Sequence, residues 1–199
     1  MPVEINAALV KELRDKTGAG IKDCKDALEK NEGSVPKAAD YLRQRGAAQA
    51  DKKADRTTSE GAVGSYIHMG GKIGVLIEVN CETDFVARTD DFQTLVQQLA
   101  LQVCAMKPDF VTRDEVPQDK IADEMAGYKA AALEEGKKEE IAEKMAKGRV
   151  DKYFAERCLY EQDYIKDPNM KVEDLIKAAI AKCGENIKVR RFVRFSLGN

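Results

Sequence analysis

At 199 residues, 43% of them apolar and 34% charged, the chain is long enough for one medium domain, or a small one plus a larger one, with a folded core. Its 33 Lys and Arg against 35 Asp and Glu leave it near neutral, which argues against nucleic acid as the main partner. Apolar runs fall short of the roughly 18 residues of a membrane helix, Met1–Asn6 lacks the basic start and apolar block of a secretory signal, and five scattered cysteines with no Cys-x-x-Cys pair suit a reducing cytoplasm, not a disulfide frame or a zinc knuckle.

The first segment predicts three short helices. Ile5, Leu9 and Leu13 recur at helical spacing, with Asn6 placed to cap and Gly18 to stop the first. Ile21 to about Lys30 carries Ile21, Cys24, Ala27 and Leu28 on one face. Ser34 stands where it would cap a third helix, and Pro36 is tolerated in its first turn. So small a unit, residues 1–45, buries little surface and would be marginally stable alone. Residues 46–58, rich in alanine and charge, read as a linker, either a semi-rigid helix or a plain tether.

The core, residues 59–199, opens with a hairpin. Ala62–His68 pairs with Lys72–Val79 across Met69-Gly70-Gly71, and Ile73, Val75, Ile77 and Val79 share one face. A helix follows over Asp91–Met106, with Phe92, Leu95, Val96, Leu99, Val103 and Met106 as its buried stripe. Residues 117–160 are helical, with breaks expected near Gly136 and Gly148 and a charged, solvated stretch from Glu134 to Lys147. Asp167-Pro168-Asn169 reads as a turn, and Val172–Cys183 as a helix ended by Gly184. The last strand, Asn186–Phe195, places Ile187, Val189, Val193 and Phe195 on one face, with Arg191 forcing a bulge or a local ion pair. The fold class is α+β: a three-stranded antiparallel sheet with helices on one face.

No enzyme site is visible. His68 is the single histidine, so a His-x-x-x-His metal pair is impossible. Gly70-Gly71-Lys72 lacks the spacing, the following Ser or Thr and the helix of a phosphate loop. Cys81 lies beside Glu82 and Asp84, which oppose a thiolate. Lys188, Arg190, Arg191 and Arg194 could touch RNA, and a ribosome- or RNA-associated module is the alternative reading. What stands out is Thr83-Asp84-Phe85-Val86, an acid beside a large aromatic at a strand-to-helix turn. Such a turn is poorly placed to pack inward, so Phe85 reads as a recognition tip.

Three stretches carry a family resemblance. Leu13-Arg14-x-x-Thr17-Gly18-Ala19-Gly20-Ile21-x-Asp23-Cys24-Lys25-x-Ala27-Leu28, Val79-Asn80-Cys81-Glu82-Thr83-Asp84-Phe85-Val86-Ala87 and Gly184-Glu185-Asn186-Ile187-x-Val189-Arg190-Arg191 resemble, in order, signatures of the elongation factor Ts family. The length is similar to that of its shorter bacterial members. The resemblance implies a guanine-nucleotide exchange factor for elongation factor Tu, without catalytic residues, metal or cofactor of its own. It implies an N-terminal unit similar to ubiquitin-associated domains, with Arg14, Ile21 and Lys22 at the partner-contact positions. Ile21 keeps the apolar character of a position often occupied by methionine; Lys22 does not. It implies that Thr83, Asp84, Phe85 and Val86 form the element that dislodges the partner's Mg²⁺, with Asp84 and Phe85 entering the partner. It also implies a homodimer through the core, in which Val193 offers no thiol for a covalent link.

Overall fold

The structure, a computed structural model, describes residues 5–198; Met1–Glu4, part of the stretch read above for a leader, lie outside them. The helices are α1 (Ala7–Thr17), α2 (Ile21–Lys30), α3 (Val35–Asp51), α4 (Asp84–Ala87), α5 (Asp90–Met106), α6 (Gln118–Glu134), α7 (Glu139–Arg157) and α8 (Val172–Cys183). The strands are β1 (Glu60–Ile67), β2 (Ile73–Cys81), β3 (Asp163–Tyr164), β4 (Asp167–Lys171) and β5 (Ile187–Ser196). The fold is α+β. Two compact units partition the chain: Met1–Gly61 with Asn80–Leu95 and Ile176–Lys188, and Ala62–Val79 with Val96–Leu175 and Val189–Asn199.

In the first unit, Asn6 caps α1 by accepting the Leu9 N–H at 2.9 Å. Gly18 ends it in the left-handed region (φ 67°), where its N–H reaches the Arg14 carbonyl. Leu13, Cys24, Ala27, Leu28, Val35 and Ala38 form the buried cluster, with Ile5, Leu9 and Leu42 against it. Ser34 holds the N-cap position of α3, yet its side chain makes no cap bond. The first half of the 46–58 stretch follows the helix reading and not the tether: α3 continues through Gly46 to Asp51. Gly46 is buried because α8 passes close by; a Cβ there would lie 3.1 Å from the Ala181 methyl. Two ion pairs hold α8 in this unit, Lys177 to Asp51 at 3.0 Å and Lys182 to Asp91 at 2.6 Å.

In the second unit, β1, β2 and β5 form a sheet in that order. The β1–β2 turn is closed by the His68 N–H on the Ile73 carbonyl, and Leu197 donates to Lys72, so β5 runs antiparallel to β2. Val75, Ile77 and Val79 face inward, as their alternation requires. Gly64 lets α5 approach the sheet: a Cβ there would stand 2.3 Å from Val96 Cγ1. The opposite face is uncovered, exposing Val63, Ile67, Leu76, Val193 and Phe195.

Four further expectations need correction. Val193 and Phe195 do not share a face with Ile187 and Val189, because the inward phase slips by one residue where Arg190 and Arg191 both point out. The expected ion pair at the slip is present, Arg191 Nε to Glu78 Oε2 at 2.7 Å. Gly148 does not break a helix: α7 runs through it, its Cα facing open space. Only Gly136 (φ 79°) interrupts, turning the chain from α6 into α7. Asp167–Asn169 is strand, not turn, and β4 pairs with β3 in a second, two-stranded sheet. Met106 is 44% exposed, since it ends α5 just before Lys107 turns the backbone left-handed (φ 50°).

Around α6 and α7, Val116, Val150, Phe154 and Cys158 form a second cluster, lined by Ile121, Met125 and Tyr128. A buried amide pair ties this region together. Gln102 donates to Gln162 Oε1 and to the Asp163 carbonyl and accepts from Ile165 N–H; Gln162 donates to the Met106 and Glu156 carbonyls. Every polar atom of both side chains is thereby satisfied, as burial demands.

Candidate functional site

The site is built where β2 leaves the sheet. Thr83 is extended (φ −128°, ψ 156°) and caps the single turn of α4, its Oγ1 accepting the Val86 N–H at 3.4 Å. Ala87 is buried and anchors the far end of the turn. Phe85 is 78% exposed, on the side of α4 away from that anchor. Asp84 is only partly exposed and forms an i,i+4 ion pair with Arg88. The expected acid–aromatic tip is thus a one-turn helix, with its aromatic in solvent and its acid already partnered.

Four residues turns cannot hold themselves, since helix nucleation is unfavourable. The support comes from far along the chain. Glu185 accepts the Thr83 N–H on Oε2 at 3.0 Å and the Thr83 hydroxyl on Oε1 at 2.7 Å. Reciprocally, Glu82 Oε1 accepts the Asn186 N–H at 2.6 Å. The buried Asn186 amide donates to the Ala54 and Arg56 carbonyls, and Arg56 pairs with Glu82. Three segments, 54–56, 81–83 and 185–186, are cross-linked beneath the turn. Glu185, Glu82 and Asn186 were not read as site residues. Glu82 lies in the Val79–Ala87 stretch and Glu185 and Asn186 in the Gly184–Arg191 stretch, so both family-like stretches carry the residues of this network.

Cys81 lies under the same network, fully buried, its Sγ 3.1 Å from the Thr83 carbonyl. Burial first and then the Glu185 carboxylate push its thiol up to about 11. The group stays protonated at neutral pH, so it is a hydrogen-bond donor here and not a nucleophile.

Arg14, in the last turn of α1, and Ile21 and Lys22, opening α2, are all exposed around the Gly18–Gly20 elbow; Ile21 is 62% exposed. This elbow and the Thr83–Val86 turn belong to the same compact unit. No hydrogen bond or ion pair joins them among the described residues. The basic strand is partly engaged: Arg191 pairs with Glu78, and Arg194 donates to the Cys104 carbonyl at 3.2 Å. Among the described residues, no three His, Cys, Asp or Glu side chains are grouped to hold a metal ion, and no helix is long and apolar enough to cross a membrane.

Comparison with known proteins decides what kind of molecule carries this turn. The family model described as elongation factor TS matches residues 48–199. Elongation factor Ts of Heliobacterium modesticaldum is 55% identical over 194 residues, covering 98% of this chain and 90% of its own. The chain belongs to the elongation factor Ts family. Elongation factor Ts of Syntrophomonas wolfei is 56% identical over 194 residues, with 98% and 91% covered. That of Desulfosudis oleivorans is 50% identical, with 98% of both chains covered. Membership of this family places the chain in translation elongation. The match extends through α1–α3 in the relatives and through the supported turn in both comparisons.

Proposed function

We propose that this chain is the guanine-nucleotide exchange factor for elongation factor Tu, acting in the cytoplasm, and that the Thr83–Val86 turn opens the partner's Mg²⁺ site. The observation that carries this reading is Phe85, 78% exposed on a helix turn that a network of buried and half-buried bonds holds in place. A large aromatic held out in water by a rigid base gains only when a partner covers it.

The physics asks for no covalent chemistry. Mg²⁺ needs near-ideal octahedral geometry and bridges phosphate and protein oxygens in nucleotide sites. A phenyl ring pressed in beside those ligands shifts them and weakens the ion's hold. Asp84, leaving Arg88, brings acceptors to backbone that would otherwise face phosphate. The result is negative coupling: the factor weakens the nucleotide, and the nucleotide equally weakens the factor. Each tenfold loss of nucleotide affinity takes about 1.4 kcal/mol of differential binding. Arg14, Ile21 and Lys22, on the ubiquitin-associated-like helical unit of residues 1–45, supply the second grip on the same partner. The connecting stretch 46–58 and the core of 59–199 set the turn.

The reading includes a homodimer. Val63, Ile67, Leu76, Val193 and Phe195 leave one sheet face apolar and open, which in a water-soluble chain marks an interface. Two such faces packed together make an isologous contact. The RNA-binding alternative is weakened, because Arg191 and Arg194 are engaged within the chain.

The test is direct. The chain added to elongation factor Tu loaded with fluorescent GDP should speed release of the label in the presence of excess unlabelled nucleotide. Release at the spontaneous rate would remove the proposal.

A further inference from the structure

The Glu185 carboxylate spends both oxygens on one residue, and that residue is the N-cap of α4. The Thr83 N–H precedes the helix and has no partner inside it. Its hydroxyl has one proton to give. Donating that proton to Glu185 Oε1 at 2.7 Å turns an oxygen lone pair toward the Val86 N–H, the bond that closes the α4 turn. The orientation of Thr83, and through it the direction in which Phe85 points, is therefore set from 102 residues further along the chain.

Glu185 is itself firmly placed. Gly184 (φ 80°) ends α8 just before it, Cys183 Sγ approaches its carbonyl at 3.7 Å, and the buried Asn186 follows it. No Lys or Arg forms an ion pair with Glu185 among the described residues, and both of its carboxylate oxygens accept from Thr83. Bonds to an ionised acceptor are about twice as strong as neutral ones. Upstream, α8 also carries Lys182, which pairs with Asp91 and passes within 3.7 Å of the position a Gly18 Cβ would take. α8 and Glu185, two residues beyond its end, thus reach the start of α5 and the base of α4 and pass close to the elbow between α1 and α2.

We infer that Glu185 is a positioning residue for the exchange element, acting through Thr83 to aim Phe85. The inference rests on the Thr83–Val86 turn being the exchange element. It makes no claim that Glu185 touches the partner.

The experiment measures GDP release from elongation factor Tu at increasing concentrations of full-length wild type, Glu185→Ala, Glu185→Gln, Thr83→Val, the Glu185→Ala/Thr83→Val double variant and Phe85→Ala. Loss of a charge-assisted pair should lower the maximal release rate of Glu185→Ala about tenfold. The half-saturating concentration should move less than about threefold, because the elbow still docks. Glu185→Gln, which keeps shape and one acceptor, should fall between wild type and Glu185→Ala, and it stands in if the alanine variant fails to fold. The double variant should be no slower than the worse single variant, since the two residues act as one unit. Losses that multiply in the double variant, or a wild-type maximal rate for both Glu185 variants while Phe85→Ala is slow, would overturn the role of Glu185 alone. A wild-type rate for Phe85→Ala as well would overturn the reading of the turn and this inference with it.

Discussion

Replacing Phe85 by alanine separates the two roles an aromatic residue can have. A phenylalanine side chain offers roughly 200 Å². With Phe85 78% exposed, about 150 Å² remains for a partner to cover. At about 25 cal/mol per Å² that is close to 4 kcal/mol, and alanine would keep about a quarter of it. The variant should therefore lose about 3 kcal/mol of interaction with elongation factor Tu, roughly a hundredfold in exchange efficiency. The free chain should hardly notice. Substitution at an exposed position changes stability by about 0.5 kcal/mol or less, and alanine is the better helix former for α4. The assays are stopped-flow release of a fluorescent GDP analogue and a thermal melt of the free variant. A variant that melts several degrees lower would show that Phe85 supports the fold. One that exchanges within twofold of wild type would show that the ring is not the wedge.

Gly64→Ala would drive a methyl to 2.3 Å from Val96 Cγ1 and should cost about 1–3 kcal/mol in denaturant unfolding, partly recovered by Val96→Ala. An unchanged midpoint would mean that α5 does not pack so tightly on β1. Stability should also fall in alkali. Burial pushes Cys81 and Cys158 up to about 11 from an ordinary 9, so each thiol holds its proton more tightly folded than unfolded. That contribution is complete below pH 9 and lost as pH rises through 11, which a urea midpoint series across this range will read and a Cys81→Ala variant should make shallower, the Cys158 share remaining. For the uncovered sheet face, sedimentation should show wild type as a dimer and Phe195→Glu as a monomer, because the change places like charges and a lost aromatic on both sides of one contact. A wild type that sediments as a monomer at tens of micromolar would remove the dimer.

The parts of this structure legible in the sequence are those with a local cause. The spans of α2 and α8 follow from helical spacing between glycine and polar stops. The exposure of Phe85 follows from its place after a strand. What escaped depends on contacts distant in sequence. Nothing local in Glu185 tells that its carboxylate will meet Thr83. Strands β3 and β4 are too short, and carry Pro168, to show an alternating pattern. The phase slip at Arg190–Arg191 was half visible: the interruption could be read, but which side Val193 and Phe195 would take could not. Gly148 misled because a helix tolerates glycine for about 1 kcal/mol when neighbouring turns pay for it.

The central claim is that this chain loosens a nucleotide by disturbing the partner's Mg²⁺. It is tested most directly by stopped-flow GDP release from elongation factor Tu, with and without the wild-type chain, in excess Mg²⁺ and again in excess chelator. The account predicts a large acceleration in Mg²⁺ that shrinks in chelator, since part of the work has then been done already. An equal acceleration in both would contradict it.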